Sequence, residues 1–485
     1  MSFFRRMVCS ALCLVLCGAA FSISSGIVNS CVPRDNEYVL YIDGYDWGTC
    51  SQKVVLRTAT AHSTDELKKD DFSALVFVPV TGTSNLPFPI KKGERTISTV
   101  FASDENGVAL SGSSHFITLE FVISPTEEYA NPFNRNVMTA DSADPFFRFK
   151  ITNEPLGIEV SECSGVVCRS ASQFKFMKFT MDDLTIKYSF WRSPKPGKKP
   201  LIIWFHGIAE GGSIPIVPLL ETNAVRLASD EIQQYFENGA DVLVPQCPSA
   251  WLESTSKDIM GNRLWVPVDL NVGRKIGRAV RPVERAVEKI FGAGVSDGAS
   301  DEDAIKIPEE TPVPTASVSF YTEIVKKIID MYISRYDYVD KSRIYVGGCS
   351  AGGYMTLNMI LQNPGFFAAA FPACEAYPDA KLTDYQIYQL TQIPMWFVHS
   401  KNDSTIKAST HDESTVRRMK ELGGRRVIFT LYDDVRDLTG RWNSSNGRAY
   451  EFDDHYSWVY VMNNTPRYEG KSLFEWLSAQ SLEQN

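Results

Sequence analysis

Apolar and polar positions alternate in two different textures along the chain. Short alternating or apolar runs recur over residues 38–42, 53–57, 74–79, 95–101, 116–123 and 146–151. Turn formers such as Asp43-Gly44, Thr81-Gly82 and Asn106-Gly107 separate them. Alternation places every second side chain on one face, and about six or seven short strands at this spacing predict an all-β sandwich of immunoglobulin-like type.

The second texture begins near residue 174. Residues 178–191 read as two strands joined at Asp182-Asp183, and residues 201–205 form an unbroken apolar run. Such a run is expected of a strand buried on both faces. Residues 241–244, 343–346, 367–371, 394–398 and 427–431 continue the strand series. Between them, Ile324, Ile328, Ile329 and Tyr332 recur at a helical period, residues 351–362 read as a helix, and residues 472–479 read as a closing helix. Strand and helix in alternation predict an α/β domain with a mainly parallel sheet.

The predicted organisation is a signal peptide over residues 1–24, a sandwich over 31–155, a linker over 156–173, and an α/β domain over 174–485. A long insertion at about 261–315 interrupts the last of these, with a Gly/Pro/Ser-rich acidic tip over residues 292–314. Loops of that length are usually functional or disordered, so a rim over the site and a solvated insertion are both open.

Charge and cysteine content narrow the setting. A formal net charge of -9 gives no attraction to phosphate backbones, so no nucleic-acid partner is expected. Arg5 and Arg6 precede an apolar run over residues 7–21 that closes on Gly18, Ala19 and Ala20. This is the order of a secretory signal, and a secreted or cell-envelope location is expected. Membrane association is expected only if the N-terminus stays uncleaved or is lipidated near Cys31. Ten cysteines are present, three of them in the signal; the remaining odd number leaves at least one thiol unpaired. Cys31 with Cys50 and Cys163 with Cys168 are plausible local disulfides. No CxxC pair occurs and the six histidines are scattered, so no metal site and no cofactor are expected.

The sharpest chemical feature is Gly348-Cys349-Ser350-Ala351-Gly352-Gly353. It follows a predicted strand and opens a predicted helix, the setting of a G-x-S-x-G nucleophile elbow. Small flanking residues permit the tight turn, and the N–H of Ala351 at the helix start is free to face a developing oxyanion. Cys349 occupies the variable position and is expected to point away. The second half of an oxyanion hole is expected after residues 201–205, where His206-Gly207-Ile208-Ala209-Glu210-Gly211-Gly212 follows. The N–H of Ile208, or that of Gly207, is the candidate donor, and His206 reads as an orienting residue for this loop.

In this fold the order is nucleophile, acid, histidine. His399, His411 and His455 follow Ser350. His399 ends a strand before any suitable acid, and His411 lies only eight residues beyond the best one, so His455 is the expected base. Asp403, in the loop after residues 394–398, is the expected acid, with Asp433, Asp434, Asp453 and Asp454 as alternatives. These roles imply a serine hydrolase: His455 takes the proton of Ser350, main-chain N–H groups hold the oxyanion, and water resolves an acyl-enzyme.

Several further motifs accompany the elbow. They are Phe205-His206-Gly207 with Glu210-Gly211-Gly212, Val244-Pro245-Gln246-Cys247-Pro248 with Trp251, and Phe371-Pro372-Ala373-Cys374-Glu375-Ala376. Val398-His399-Ser400-Lys401-Asn402-Asp403, His455-Tyr456-Ser457-Trp458 and Asp46-Trp47-Gly48 complete the set. Together they resemble bacterial α/β-hydrolase esterases that carry an N-terminal immunoglobulin-like domain, a group also described as predicted peptidases or as polyhydroxybutyrate depolymerase-like. The resemblance implies an α/β-hydrolase fold, a carboxylic-ester hydrolase activity, and a triad on Ser350, Asp403 and His455.

Two other readings compete. A serine peptidase of the prolyl-oligopeptidase type would bring a propeller of repeated blades, whereas about 150 residues precede the catalytic domain and no repeat of that period is seen. A catalytically inactive binding protein would not need all three triad residues. The expected partner is a small or polymer-linked ester. Self-association through the immunoglobulin-like domain is left open, as is a sugar platform on Tyr41, Tyr45 and Trp47.

Overall fold

The computed structural model describes residues 27–28, 30–78, 90–133, 146–182, 184–252, 308, 319 and 321–482. The expected signal peptide and nearly all of the expected insertion lie outside the described residues. Residues up to 42, 51–122 and 127–169 form one compact unit; residues 43–50, 123–126 and 170 onward form another.

Among the described residues the first unit holds ten strands. They are β1 (Ile27–Val28), β2 (Glu37–Tyr45), β3 (Gly48–His62), β4 (Phe72–Val78), β5 (Ile90–Glu94), β6 (Ile97–Ser103), β7 (Ser114–Phe121), β8 (Arg148–Asn153), β9 (Ile158–Val160) and β10 (Glu162–Val167). One sheet runs β1-β10-β2-β3-β7-β6 and the other β5-β4-β8-β9. The inner faces bury Tyr38, Leu40, Val54, Leu56, Leu119, Phe149 and Ile151. The sheets are also joined by a polar contact, in which the Phe149 N–H donates to the Tyr38 hydroxyl at 2.9 Å. Buried Arg95 is compensated by Glu127 at 3.0 Å and by the carbonyls of Ser51 and Val122, as a charge taken out of water requires.

The stretch expected to be a linker holds β9 and β10. β9 pairs antiparallel with β8, and β10 lies parallel to β2. Glu162-Cys163-Ser164-Gly165 carries no apolar alternation, so only Val166 and Val167 give a local sign of the strand; both are buried. The Cys31 thiol is aimed at the Ser164 carbonyl at 3.7 Å, and the Cys163 thiol at the Gly165 carbonyl at 3.4 Å. Tyr41 is core, packed with Val39, Val55 and Val167, and Tyr45 stacks on Trp47 at 5.0 Å.

The second unit holds an eight-stranded sheet. Its strands are β11 (Lys175–Met181), β12 (Leu184–Trp191), β13 (Lys199–Phe205), β14 (Asp241–Gln246), β15 (Val339–Cys349), β16 (Ala369–Ala373), β17 (Met395–Ser400) and β18 (Val427–Tyr432). The order is β11-β12-β14-β13-β15-β16-β17-β18. From β14 onward every pair is parallel, while β11 and β12 enter antiparallel. Every residue of β13, β14, β16 and β17 is buried, which accounts for their continuous apolar sequences. Six helices matter here: α1 (Thr322–Arg335), α2 (Ala351–Gln362), α3 (Asp384–Thr391), α4 (Asp412–Glu421), α5 (Trp458–Met462) and α6 (Leu473–Ser478). Ile324, Ile328 and Ile329 of α1 join Leu201, Ile203, Val346, Met355 and Met359 in one core. This is the α/β-hydrolase fold preceded by an all-β immunoglobulin-like sandwich. No helix among the described residues is long and apolar enough to cross a membrane.

Because β13 and β15 to β18 are parallel neighbours, the loops that leave their C-terminal ends share one edge of the sheet. Open α/β sheets place their sites at that edge. All the residues expected to carry chemistry lie in those loops or at the helix starts that follow.

Candidate functional site

Ser350 stands between β15 and α2 with φ 54° and ψ -118°. This left-handed backbone costs an L residue roughly 1–3 kcal/mol, so the surroundings must hold it. Three bonds do so: the Ser350 N–H donates to the Ala373 carbonyl at 3.0 Å, and its carbonyl accepts from Tyr354 and Ala376, each at 3.1 Å. The glycines follow from contact distances. A Cβ on Gly352 would sit 2.0 Å from the Phe205 carbonyl oxygen, and one on Gly348 would sit 2.4 Å from the Gly352 oxygen. Both obstacles are backbone and cannot swing aside. The motif is therefore a packing requirement that brings α2 against the end of β13 and leaves Ser350 at a helix N-terminus.

Cys349 is fully buried, and burial, helped by the charges of Cys374 and Glu210, holds its thiol well above the ordinary range. A thiol kept protonated and out of solvent is a poor nucleophile.

The loop after β13 opens with Gly207 and a short 3-10 turn, Ile208–Glu210. A Cβ on Gly207 would lie 3.8 Å from the Cβ of Ser350, so this backbone approaches Ser350 closely. Buried His206 fastens the loop. Its Nδ1 donates to the Gly207 carbonyl at 2.6 Å, and its Nε2 accepts from the Cys247 N–H at 2.9 Å. That pattern needs the neutral ring, and burial lowers the pKa of His206 to about 4 despite the opposing bond to Gly207. His206 thus ties the ends of β13 and β14 together and orients the loop.

Asp403 and His455 come together. Nδ1 of His455 lies 2.7 Å from Oδ2 of Asp403. The other carboxylate oxygen accepts the N–H groups of Thr405 and Ile406, both at 2.8 Å. Burial alone would raise Asp403, but bonds from His399, His455 and the Ile406 amide, with the charge of His455, hold it well below the usual carboxylate range. The alternative acids are engaged elsewhere. Asp433 pairs with exposed Lys401 at 2.8 Å, Asp434 with Arg436, Asp454 with the Val435 N–H at 3.1 Å, and Asp453 with the main-chain N–H of His455 itself at 2.9 Å. The last two shape the loop that presents His455. Ser457 adds a bond to the Val398 carbonyl at 3.2 Å, which pins that loop to β17.

The sequence reading set His399 aside, and the structure places it behind the acid. Its Nε2 lies 3.2 Å from Oδ2 of Asp403 and 2.9 Å from the Ile406 carbonyl, and its Nδ1 lies 2.7 Å from Oδ2 of Asp412. His399, Asp403 and Asp412 are all buried. A histidine ending a fully buried strand, with an acid four residues on, was the available signal, since a buried imidazole must find partners. Asp412, on α4, could not be linked to it locally. His411 is a loop residue that reaches the Lys407 carbonyl and the Thr410 hydroxyl. Among the described residues no group of three or more His, Cys, Asp or Glu side chains is arranged to hold a metal ion.

Similarity to known proteins agrees with this architecture. The family described as the esterase Ig-like N-terminal domain matches residues 37–159, and the prolyl oligopeptidase family matches residues 323–386, the stretch from α1 through the elbow to α3. A thermostable esterase of known structure is 21% identical with a TM-score of 0.57, over 92% of this chain and 99% of that one. An acylaminoacyl peptidase is 14% identical with a TM-score of 0.35, over 69% of this chain and 48% of its own. An S-formylglutathione hydrolase from Agrobacterium tumefaciens is 13% identical with a TM-score of 0.34, over 62% and 93%. No curated protein matches the chain. The chain accordingly has the α/β-hydrolase fold, with an N-terminal region that matches the immunoglobulin-like domain found in esterases.

Proposed function

We propose that the protein cleaves carboxylic esters through an acyl-enzyme on Ser350, with His455 as general base and Asp403 as its orienting acid. The observation that carries the reading is the buried 2.7 Å pair between His455 and Asp403 at the sheet edge that also bears the Ser350 elbow. In this mechanism Asp403 holds Nδ1 protonated, which leaves Nε2 free to take the Ser350 proton as its oxygen attacks the acyl carbon. The N–H of Ala351, with that of Ile208 or Gly207, receives the oxyanion. His455 then protonates the leaving alcohol, and a water activated by the same ring releases the acid. Loss of one oxyanion donor would cost roughly 10²–10³ in turnover.

An ester rather than a peptide is favoured by the esterase-type N-terminal domain and by the similarity in architecture to a thermostable esterase over almost the whole chain. The peptidase reading draws on the match over residues 323–386 alone, a strand-elbow-helix unit that esterases also use. We place the enzyme outside the cytoplasm, secreted or in the envelope, on the strength of the N-terminal charge and hydropathy pattern. A panel of short-chain, long-chain and feruloyl esters beside peptide amides, run with wild type and Ser350→Ala, tests the function. Ester turnover lost in Ser350→Ala is the expected result; peptide turnover without ester turnover, or undiminished activity in the variant, overturns it.

A further inference from the structure

Behind the acid lies a row of buried ionisable groups that the hydrolytic steps do not use: His399, Asp412 and Glu375. His399 is the penultimate residue of β17, Asp412 opens α4, and Glu375 follows β16. The hydrogen-bond pattern fixes their protonation. Nδ1 of His399 faces Oδ2 of Asp412, and Nε2 faces Oδ2 of Asp403 and the Ile406 carbonyl. Every one of these partners is an acceptor, so both ring nitrogens must donate, and only the imidazolium carries two N–H groups.

The far end of the row has the opposite character. Oδ1 of Asp412 and Oε1 of Glu375 are both buried and have no hydrogen-bond donor among the described residues. The second Glu375 oxygen accepts the Tyr377 N–H at 2.5 Å. Burial, then the charge and hydrogen bond of Asp412, hold Glu375 well above the ordinary range. The part of the row that touches the acid is therefore Asp412 and the His399 imidazolium, which leads through Asp403 to His455.

We propose that His399 is a positioning residue of the triad, a buried imidazolium that holds Asp403 ionised and correctly turned toward His455 and is itself anchored by Asp412. The inference rests on the reading of Asp403 and His455 given above. Its physical logic is charge balance in a site closed to water. His399 offsets Asp412, which leaves one net negative charge on Asp403 for the moment when His455 becomes cationic. Without His399, two buried carboxylates would face a single transient cation, and Asp403 would lose a donor that sets its tilt. Burial opposes a charged His399, yet Asp412 and the three hydrogen bonds push its pKa up to about 10, in line with the geometry. The other groups facing the row are His411, whose pKa is lowered chiefly by burial, and Cys374, whose thiol is held protonated by burial first and by the nearby carboxylates.

The test combines a measurement on the intact wild type with a variant. In ¹⁵N/¹³C-labelled protein the His399 ring, assigned by through-bond correlation to its own backbone, should keep imidazolium shifts to pH 9. An ordinary titration near pH ~6.5 overturns the proposal. In His399→Gln, kcat for p-nitrophenyl acetate should fall about ten- to hundredfold with KM within about twofold, because orientation rather than binding is lost. The acid limb of kcat/KM should also move up by about one pH unit, because removal of a fixed cation favours the protonated, inactive form of His455. Unchanged kcat and an unmoved profile overturn the proposal; if the variant fails to fold, the wild-type titration decides alone. Ser350→Ala, assayed in parallel, separates the two levels: activity surviving there sinks the hydrolase reading, whereas a dead Ser350→Ala with an unaffected His399→Gln sinks only the role of His399.

Discussion

His455 and Asp403, 52 residues apart in sequence, meet at 2.7 Å in the interior of the second unit. The contact lies between two loops, one leaving β17 and one following β18, and each loop is braced by its own bonds. Asp403 is held by the Thr405 and Ile406 amides, and His455 by Asp453 and by the tether of Ser457 to β17. A histidine so oriented presents one nitrogen to the acid and the other away from it, as a general base requires.

The pair predicts the outcome of an isosteric change. Asp403→Asn keeps the shape but turns an N–H toward Nδ1 and favours the wrong tautomer. Turnover of p-nitrophenyl acetate should fall about 10³–10⁴-fold with the thermal midpoint within a few degrees. A loss below about tenfold would move the acid's role to another residue.

The elbow predicts a defect of folding rather than of chemistry. In Gly352→Ala the new Cβ would meet the Phe205 carbonyl at 2.0 Å, and backbone would have to move on both β13 and α2. A destabilisation of about 3 kcal/mol or more is expected in urea denaturation, well beyond a typical point change. A soluble variant of wild-type stability would contradict the packing account of the motif.

Two buried histidines predict how stability follows pH. His206 is lowered to about 4, so between pH 6.5 and 4 the unfolded chain binds a proton that the folded one refuses, and stability falls as pH falls. His399 is raised to about 10, so between pH 6.5 and 10 the folded chain keeps a proton that the unfolded one releases, and stability falls as pH rises. Asp403, lowered, adds to the acid arm below the ordinary carboxylate range. Glu375, held well above the carboxylate range, adds to the alkaline arm from lower pH; His399 should remove about 2 kcal/mol more between pH 6.5 and 8.5 in urea denaturation, and His399→Gln should flatten that part of the arm. A wild-type stability that stays level from pH 6.5 to 8.5 would argue against a charged His399.

Glu375 offers a contrast between two substitutions. Glu375→Gln keeps an acceptor for the Tyr377 N–H and replaces a buried carboxyl held protonated with a neutral amide, so activity and stability should stay near wild type. Glu375→Ala leaves the Tyr377 N–H without its acceptor beside a cavity, and about 3 kcal/mol should be lost in denaturation. Equal damage from both changes would mean that Glu375 is ionised.

Much of this was legible in the sequence because its causes are local. The continuous apolar runs gave β13, β16 and β17, and the helical period gave α1, because strands buried on both faces leave few other options. The Gly348 to Gly353 turn announced Ser350, since close backbone approach admits only glycine at its fixed points. The order of elements then led to Asp403 and His455. β9 and β10 escaped notice because their pairing with distant strands, rather than alternation of their own residues, makes them strands.

The sequence by itself determined the two textures and the glycine-rich turn that carries Ser350, and it offered a short list of candidate acids and bases. Tertiary structure alone decided which groups share a buried carboxylate. His399 looked like a strand end, and Asp412 and Glu375 like unremarkable acids, because nothing local says that β16, β17 and α4 deliver them to one place. Only when burial removes water must each such proton find a named partner, and that constraint joins His399 to Asp403.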